Sequence, residues 1–105
     1  MAKVSLARRL QLAQRLETLA PGTPVFCGEA RVGAVDGVYA EGKAEVAEYL
    51  AVRWDARDGM PVLIATKDVE SLESRGVVLM GAEPSAYETA PRFDSKLYPS
   101  LRRLR

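Results

Sequence analysis

Few side chains in this sequence have the types and spacing that chemistry requires. Histidine is absent and Cys27 is the single cysteine, which excludes Ser-His and Cys-His nucleophilic pairs, histidine metal sites and cysteine zinc sites together. Between Phe26 and Gly28, in a run of strand formers, Cys27 reads as a small buried hydrophobe rather than a reactive thiol. Glu41, Glu45 and Glu48 stand close enough in sequence to form an acid-base group or to hold a divalent ion, as do Asp55 and Asp58. A calcium loop places oxygen ligands at alternate positions, and the alternate position after Asp55 is Arg57, so this stretch reads as a solvated turn. Gly37-Val38-Tyr39-Ala40-Glu41-Gly42-Lys43-Ala44 has the spacing of a phosphate-binding G-x-x-x-x-G-K loop, but Ala44 stands where the magnesium-binding hydroxyl belongs. No catalytic, cofactor-binding or metal-binding residue is assigned, and no cofactor is expected.

A second group of residues suits binding better than catalysis. Tyr87, Arg92, Phe93, Lys96, Tyr98, Arg102, Arg103 and Arg105 interleave rings and cations, a composition that stacks on bases and neutralises phosphates. The same residues could strap the tail to the body of the protein, and that docking is the favoured reading. Near the other end Leu6, Leu10, Leu12, Leu16 and Leu19 supply an apolar stripe. Leu12, Leu16, Arg102, Arg103 and Arg105 are the candidate partner contacts.

These residues sit on elements that the hydrophobic pattern outlines. Residues 4–20 read as an amphipathic helix, with Leu6, Leu10, Ala13 and Leu16 in one stripe, and Pro21-Gly22 stops it. The pattern then changes to four or five short β runs separated by turn signals. The first spans residues 24–27, and Gly28-Glu29-Ala30 leads into a second over 31–39. Val32, Val35 and Val38 cannot all face one side of a regular strand, so a bulge or bend is expected near Gly33 or Gly37. The third run puts Val46, Leu50, Val52 and Trp54 on one face, although residues 43–48 are also rich in helix formers. Residues 60–66 form a central strand, 68–74 a helical turn or loop, and 77–80 a last strand where the barrel should close. Beyond Gly81, Pro84, Pro91 and Pro99 exclude regular structure, while Tyr87, Phe93, Leu97, Tyr98, Leu101 and Leu104 are too apolar for an indifferent linker.

At 105 residues the chain fits one domain with a single core. The expected organisation is an N-terminal helix over 1–20, a β-domain over 21–80 and a proline-containing, basic-aromatic tail over 81–105. Apolar residues at 48% and charged residues at 28% place it among globular chains and exclude disorder. The net charge of +1 hides basic ends around an acidic middle, an arrangement that can clamp its own termini or draw in an acidic partner. One cysteine, no signal-peptide core and no run approaching the ~20 apolar residues of a membrane span point to a soluble cytoplasmic protein.

The order of elements resembles the PRC-barrel family, small β-barrel modules known from the photosynthetic reaction-centre H subunit and from the C-terminal domain of a ribosome maturation factor. Gly22-Thr23-Pro24-Val25, Arg31-Val32-Gly33-Ala34-Val35-Asp36-Gly37-Val38, Leu50-Ala51-Val52-Arg53-Trp54, Val62-Leu63-Ile64, and Val69 with Gly76-Val77-Val78-Leu79 carry the resemblance, over roughly residues 21–80. It implies a mainly β fold, a small, partly open antiparallel β-barrel flanked by the helix and the tail. It also implies a docking module for proteins or ribonucleoprotein particles, with no shared catalytic residues to transfer.

Taken together, these readings favour a non-enzymatic interaction module with a protein or ribonucleoprotein partner. The alternatives are an RNA-binding protein that uses the basic-aromatic tail, and a small enzyme or metal-dependent catalyst built on Glu41, Glu45, Glu48 or Cys27. A homo-oligomer is expected as well, because several leucines on one short helix are costly to leave in water at roughly 1.5–3 kcal/mol each.

Overall fold

A computed structural model describes residues 11–12, 14–16, 18–44 and 46–104. The described chain is mainly β and forms a seven-stranded mixed sheet that does not close into a barrel. Strands β1 (Pro24–Cys27), β2 (Ala30–Glu41), β3 (Tyr49–Trp54), β4 (Met60–Ala65), β5 (Val69–Glu73) and β6 (Gly76–Leu79) pair in the order β4-β3-β2-β1-β6-β5, and β7 (Leu101–Arg103) pairs with β2 off this path. The β1–β6 pair is parallel, so the expected all-antiparallel barrel is corrected in that pairing. The path ends at β4 and β5, and the expected closure after β6 is replaced by a seam between those two edge strands.

Strand β2 organises the sheet. Its first half pairs with β1, its last three residues pair with β7, and β3 runs along its other side. The register slips by one residue between Gly33 and Arg31 against β1, and again between Val35 and Gly37 against β3. Each slip absorbs an extra residue, which lets Val32, Val35 and Val38 all turn inward. Gly33 lies so close to the Arg53 carbonyl that a Cβ would collide with it, so the bend requires glycine there. Gly76 opens β6 at φ 140°, with its missing Cβ directed at the Pro24 carbonyl.

Two expectations are corrected around β3 and β5. β3 starts at Tyr49, and the described residues of 43–48 are neither strand nor helix; Ala47 and the backbone of Glu48 instead receive the Thr66 hydroxyl at 3.0 and 3.2 Å. Residues 68–74, expected as a turn or loop, contain β5, which is entered through a 3-10 turn over Thr66–Asp68. Only Val69 of that strand is fully buried, and an edge strand with one buried side shows little apolar alternation in sequence.

Alternate residues of β2, β3 and β4 feed two apolar layers. The inner one holds Val35, Val38, Leu50, Val52, Trp54, Val62 and Ile64 with Val25, Val77 and Leu79. The outer one holds Tyr39, Ala51 and Leu63. Residues 11–12 and 14–16 are helical, and most of the expected helix over 4–20 lies outside the described residues, Leu6 and Leu10 included. Leu16 and Leu19 belong to the inner core and Leu12 packs against it half-buried. Leu16, at 0% exposure, is therefore a core residue of its own chain and not a surface for a mate.

The proline-containing tail is more ordered than its composition suggests. It contains 3-10 turns at Pro84–Tyr87 and Ser95–Leu97 and ends in β7, because prolines at turn starts leave the intervening amides free to bond. Leu63 N–H donates to the Pro91 carbonyl at 2.9 Å and Phe93 N–H to the Pro61 carbonyl at 2.8 Å, which stitches the tail to the free edge of β4. Phe93, Tyr98 and Leu101 then cover the outer layer.

Candidate interaction groove

The tail crosses the seam without filling it. A groove of about 630 Å³ remains, walled by Tyr49 and Leu63, Ile64 and Ala65 from β3 and β4, by Asp68, by Met80 and Gly81 after β6, and by Ala86, Tyr87, Thr89, Ala90 and Pro91 of the tail. Its size falls within the range of roughly 300–1,000 Å³ common to binding clefts. Met80, just after β6, is 50% exposed and lines the groove.

Tyr87 anchors the tail side of this groove. Its ring lies 5.9 Å from that of Trp54, tilted at 55°, and its hydroxyl accepts a hydrogen bond from Gly81 N–H at 2.9 Å. Burial pushes the phenol above its ordinary value of 10.0; the Gly81 bond works the other way, and the charges of Asp68 and Cys27 add to the rise. A further tie runs from the Arg57 guanidinium to the Ala90 carbonyl at 3.0 Å, which fixes the outer lip.

The structure disperses the residues singled out for chemistry. Cys27 is 1% exposed in the inner core, and burial followed by the charge of Glu83 raises its thiol above the ordinary 9.0, the opposite of what a nucleophile needs. Glu48 accepts the Glu41 amide at 2.7 Å and closes the β2–β3 connection, while Glu45 lies outside the described residues. Among the described residues no three Cys, Asp or Glu groups come together in a metal-binding arrangement. Asp55 and Asp58 lie in the 3-10 turn between β3 and β4, where Asp58 takes the left-handed conformation at φ 55°. Gly37 to Gly42, the phosphate-loop look-alike, is mostly β2 strand, which gives no loop to cradle a phosphate.

Two tail arginines are occupied within their own chain. Arg102 donates from Nε to the Gly42 carbonyl at 3.2 Å and from Nη2 to the Ala44 carbonyl, and Arg103 donates to the Asp36 carbonyl at 3.0 Å. Arg105 lies outside the described residues. Of the tail rings, Phe93 sits 4.7 Å from Tyr39 and 5.8 Å from Tyr98, so this aromatic set packs on the sheet.

The groove residues were invisible to motif reading because they come from five separate stretches and include no reactive pair. A faint signal was present in Met80 standing before Gly81, and in the small residues Ala86 and Ala90 on either side of Tyr87. No helix among the described residues is long and apolar enough to cross a membrane. No protein-family model, curated protein or solved structure matches the chain.

Proposed function

We propose that this protein is a non-enzymatic docking module of the PRC-barrel type, and that a partner protein engages it at the seam groove. The observation that carries the reading is the half-exposed Met80 in an apolar groove bounded by a rigid sheet on one side and a pinned tail segment on the other. Methionine is unbranched and polarisable, so it adapts to an incoming apolar side chain at low cost. The walls are held by backbone hydrogen bonds and by the Tyr87 and Arg57 ties, so little ordering is required when a partner arrives. The resemblance to PRC barrels supports the same reading, since those modules serve mainly as adaptors.

RNA binding through the tail is the weaker reading, because Arg102 and Arg103 would first have to leave the carbonyls they satisfy. The test of docking places a photo-crosslinking side chain at Met80 and, in a second protein, at Leu97, which is 67% exposed and does not line the groove. Defined partner bands from extract at position 80 and their absence at 97 are the expected result. Equal capture at both positions, or none at 80, overturns the proposal.

A further inference from the structure

The charge around the groove narrows the kind of partner. The two stretches that supply Asp68 and the tail lining, residues 66–73 and 81–92, carry Asp68, Glu70, Glu73, Glu83 and Glu88 against Lys67 and Arg92, and of these charges Asp68 lines the groove. Glu73 is paired with Arg75 at 3.3 Å, but among the described residues Asp68, Glu70, Glu83 and Glu88 form no ion pair. Asp68 lines the groove together with Tyr49 and Tyr87, only partly exposed and with no hydrogen bond to its carboxylate among the described residues. An aromatic face next to a carboxylate suits a cation twice over, by quadrupole attraction and by direct charge. Leu63, Ile64, Met80 and Ala90 give the groove its apolar lining, with Met80 next to Asp68 through its N–H bond to the Asp68 carbonyl at 2.7 Å.

Resting on the docking reading above, we propose that the groove recognises a peptide segment of a partner protein in which Lys or Arg stands next to a large apolar residue. The apolar side chain seats against Leu63, Met80 and Ala90, and the cation lies between Tyr87 and Asp68 with the outer carboxylates drawing the segment in. An acidic segment is rejected by the same carboxylates, so specificity comes from repulsion as well as attraction. The rim charges act mainly on the encounter rate and its salt dependence, and Asp68, the partly covered one, on residence.

The experiment is selection of a random displayed peptide library on the full chain, in parallel with Met80→Glu and Asp68→Asn. Circular dichroism first shows that both variants keep the wild-type fold, as expected for side chains at least partly in solvent. The expected result is that Met80-dependent sequences pair Lys or Arg with Leu, Ile, Met or Phe at neighbouring positions. A synthetic peptide of the enriched sequence then binds about tenfold more weakly to Asp68→Asn, and more weakly still as salt rises. Enrichment of neutral or acidic sequences that need Met80, or affinity unchanged by Asp68→Asn, overturns the cation preference and leaves docking intact. Absence of any Met80-dependent enrichment overturns the docking reading and this inference with it.

Discussion

The inner and outer layers of the sheet use alternate residues of the same three strands, yet the inner one is closed from both ends of the chain, with Tyr87, Ala90 and Leu104 of the tail packed on it, and the outer one by the tail alone. Leu16 and Leu19 complete the inner layer, a set of aliphatic side chains with Trp54 at one end. Phe93, Tyr98 and Leu101 complete the outer layer, which is small, aromatic and roofed by chain held through a handful of backbone hydrogen bonds. The inner layer is therefore expected to set the global stability, and the outer layer to open at a lower free energy. The groove lies between the two, with its tail residues Tyr87 and Ala90 packed against the inner layer.

The largest effect is expected inside. Leu50→Ala removes a fully buried β3 side chain and should cost roughly 2–5 kcal/mol, a large share of the stability of a domain this size, measured by urea unfolding. Phe93→Ala should cost about 2 kcal/mol, below the roughly 3–5 of a phenylalanine in a closed core, because the tail can settle toward the sheet. Hydrogen exchange separates the two. Phe93→Ala should release the Leu63 and Leu104 amides, which bond to Pro91 and Val38, while the ladder between β2 and β3 keeps its protection. Loss of protection throughout the sheet would show that the layers form one cooperative unit and erase the distinction.

Alkaline pH probes the inner layer more gently. The folded Cys27 thiol titrates above its unfolded value, so the unfolded state releases its proton first; the stabilisation is complete below the ordinary value of 9.0 and is lost as pH rises through the folded value. Tyr87, raised above 10.0, adds a second loss at higher pH. Cys27→Ala should flatten the first part of that decline in thermal melts, and an unchanged profile would exclude Cys27 as its source. Smallest of all is Arg102→Ala, expected to cost no more than about 1 kcal/mol, since its bonds to Gly42 and Ala44 are exposed. If the same substitution abolishes binding to a mixed RNA pool at low salt, the strap is a nucleic-acid surface and not a structural tie.

The amino-acid pattern alone carried the β-rich class, the turns at Gly28 and Asp58, and the bends in β2. Valines at 32, 35 and 38 cannot share a face without an extra residue, and the structure supplies two such residues beside the two glycines. It also determined the absence of histidine chemistry, which is a matter of composition alone. What remained for the tertiary structure is long-range. β5 has one buried side and reads as loop until β6 pairs with it. The parallel β1–β6 pair and the unclosed seam depend on strand order, on which local periodicity is silent. Leu16 faces a partner or its own core according to the same helical stripe, and only packing chose the core. The groove, assembled from five distant stretches around Met80, has no local pattern to betray it, because its shape is created by the tail crossing a gap that the strands themselves left open.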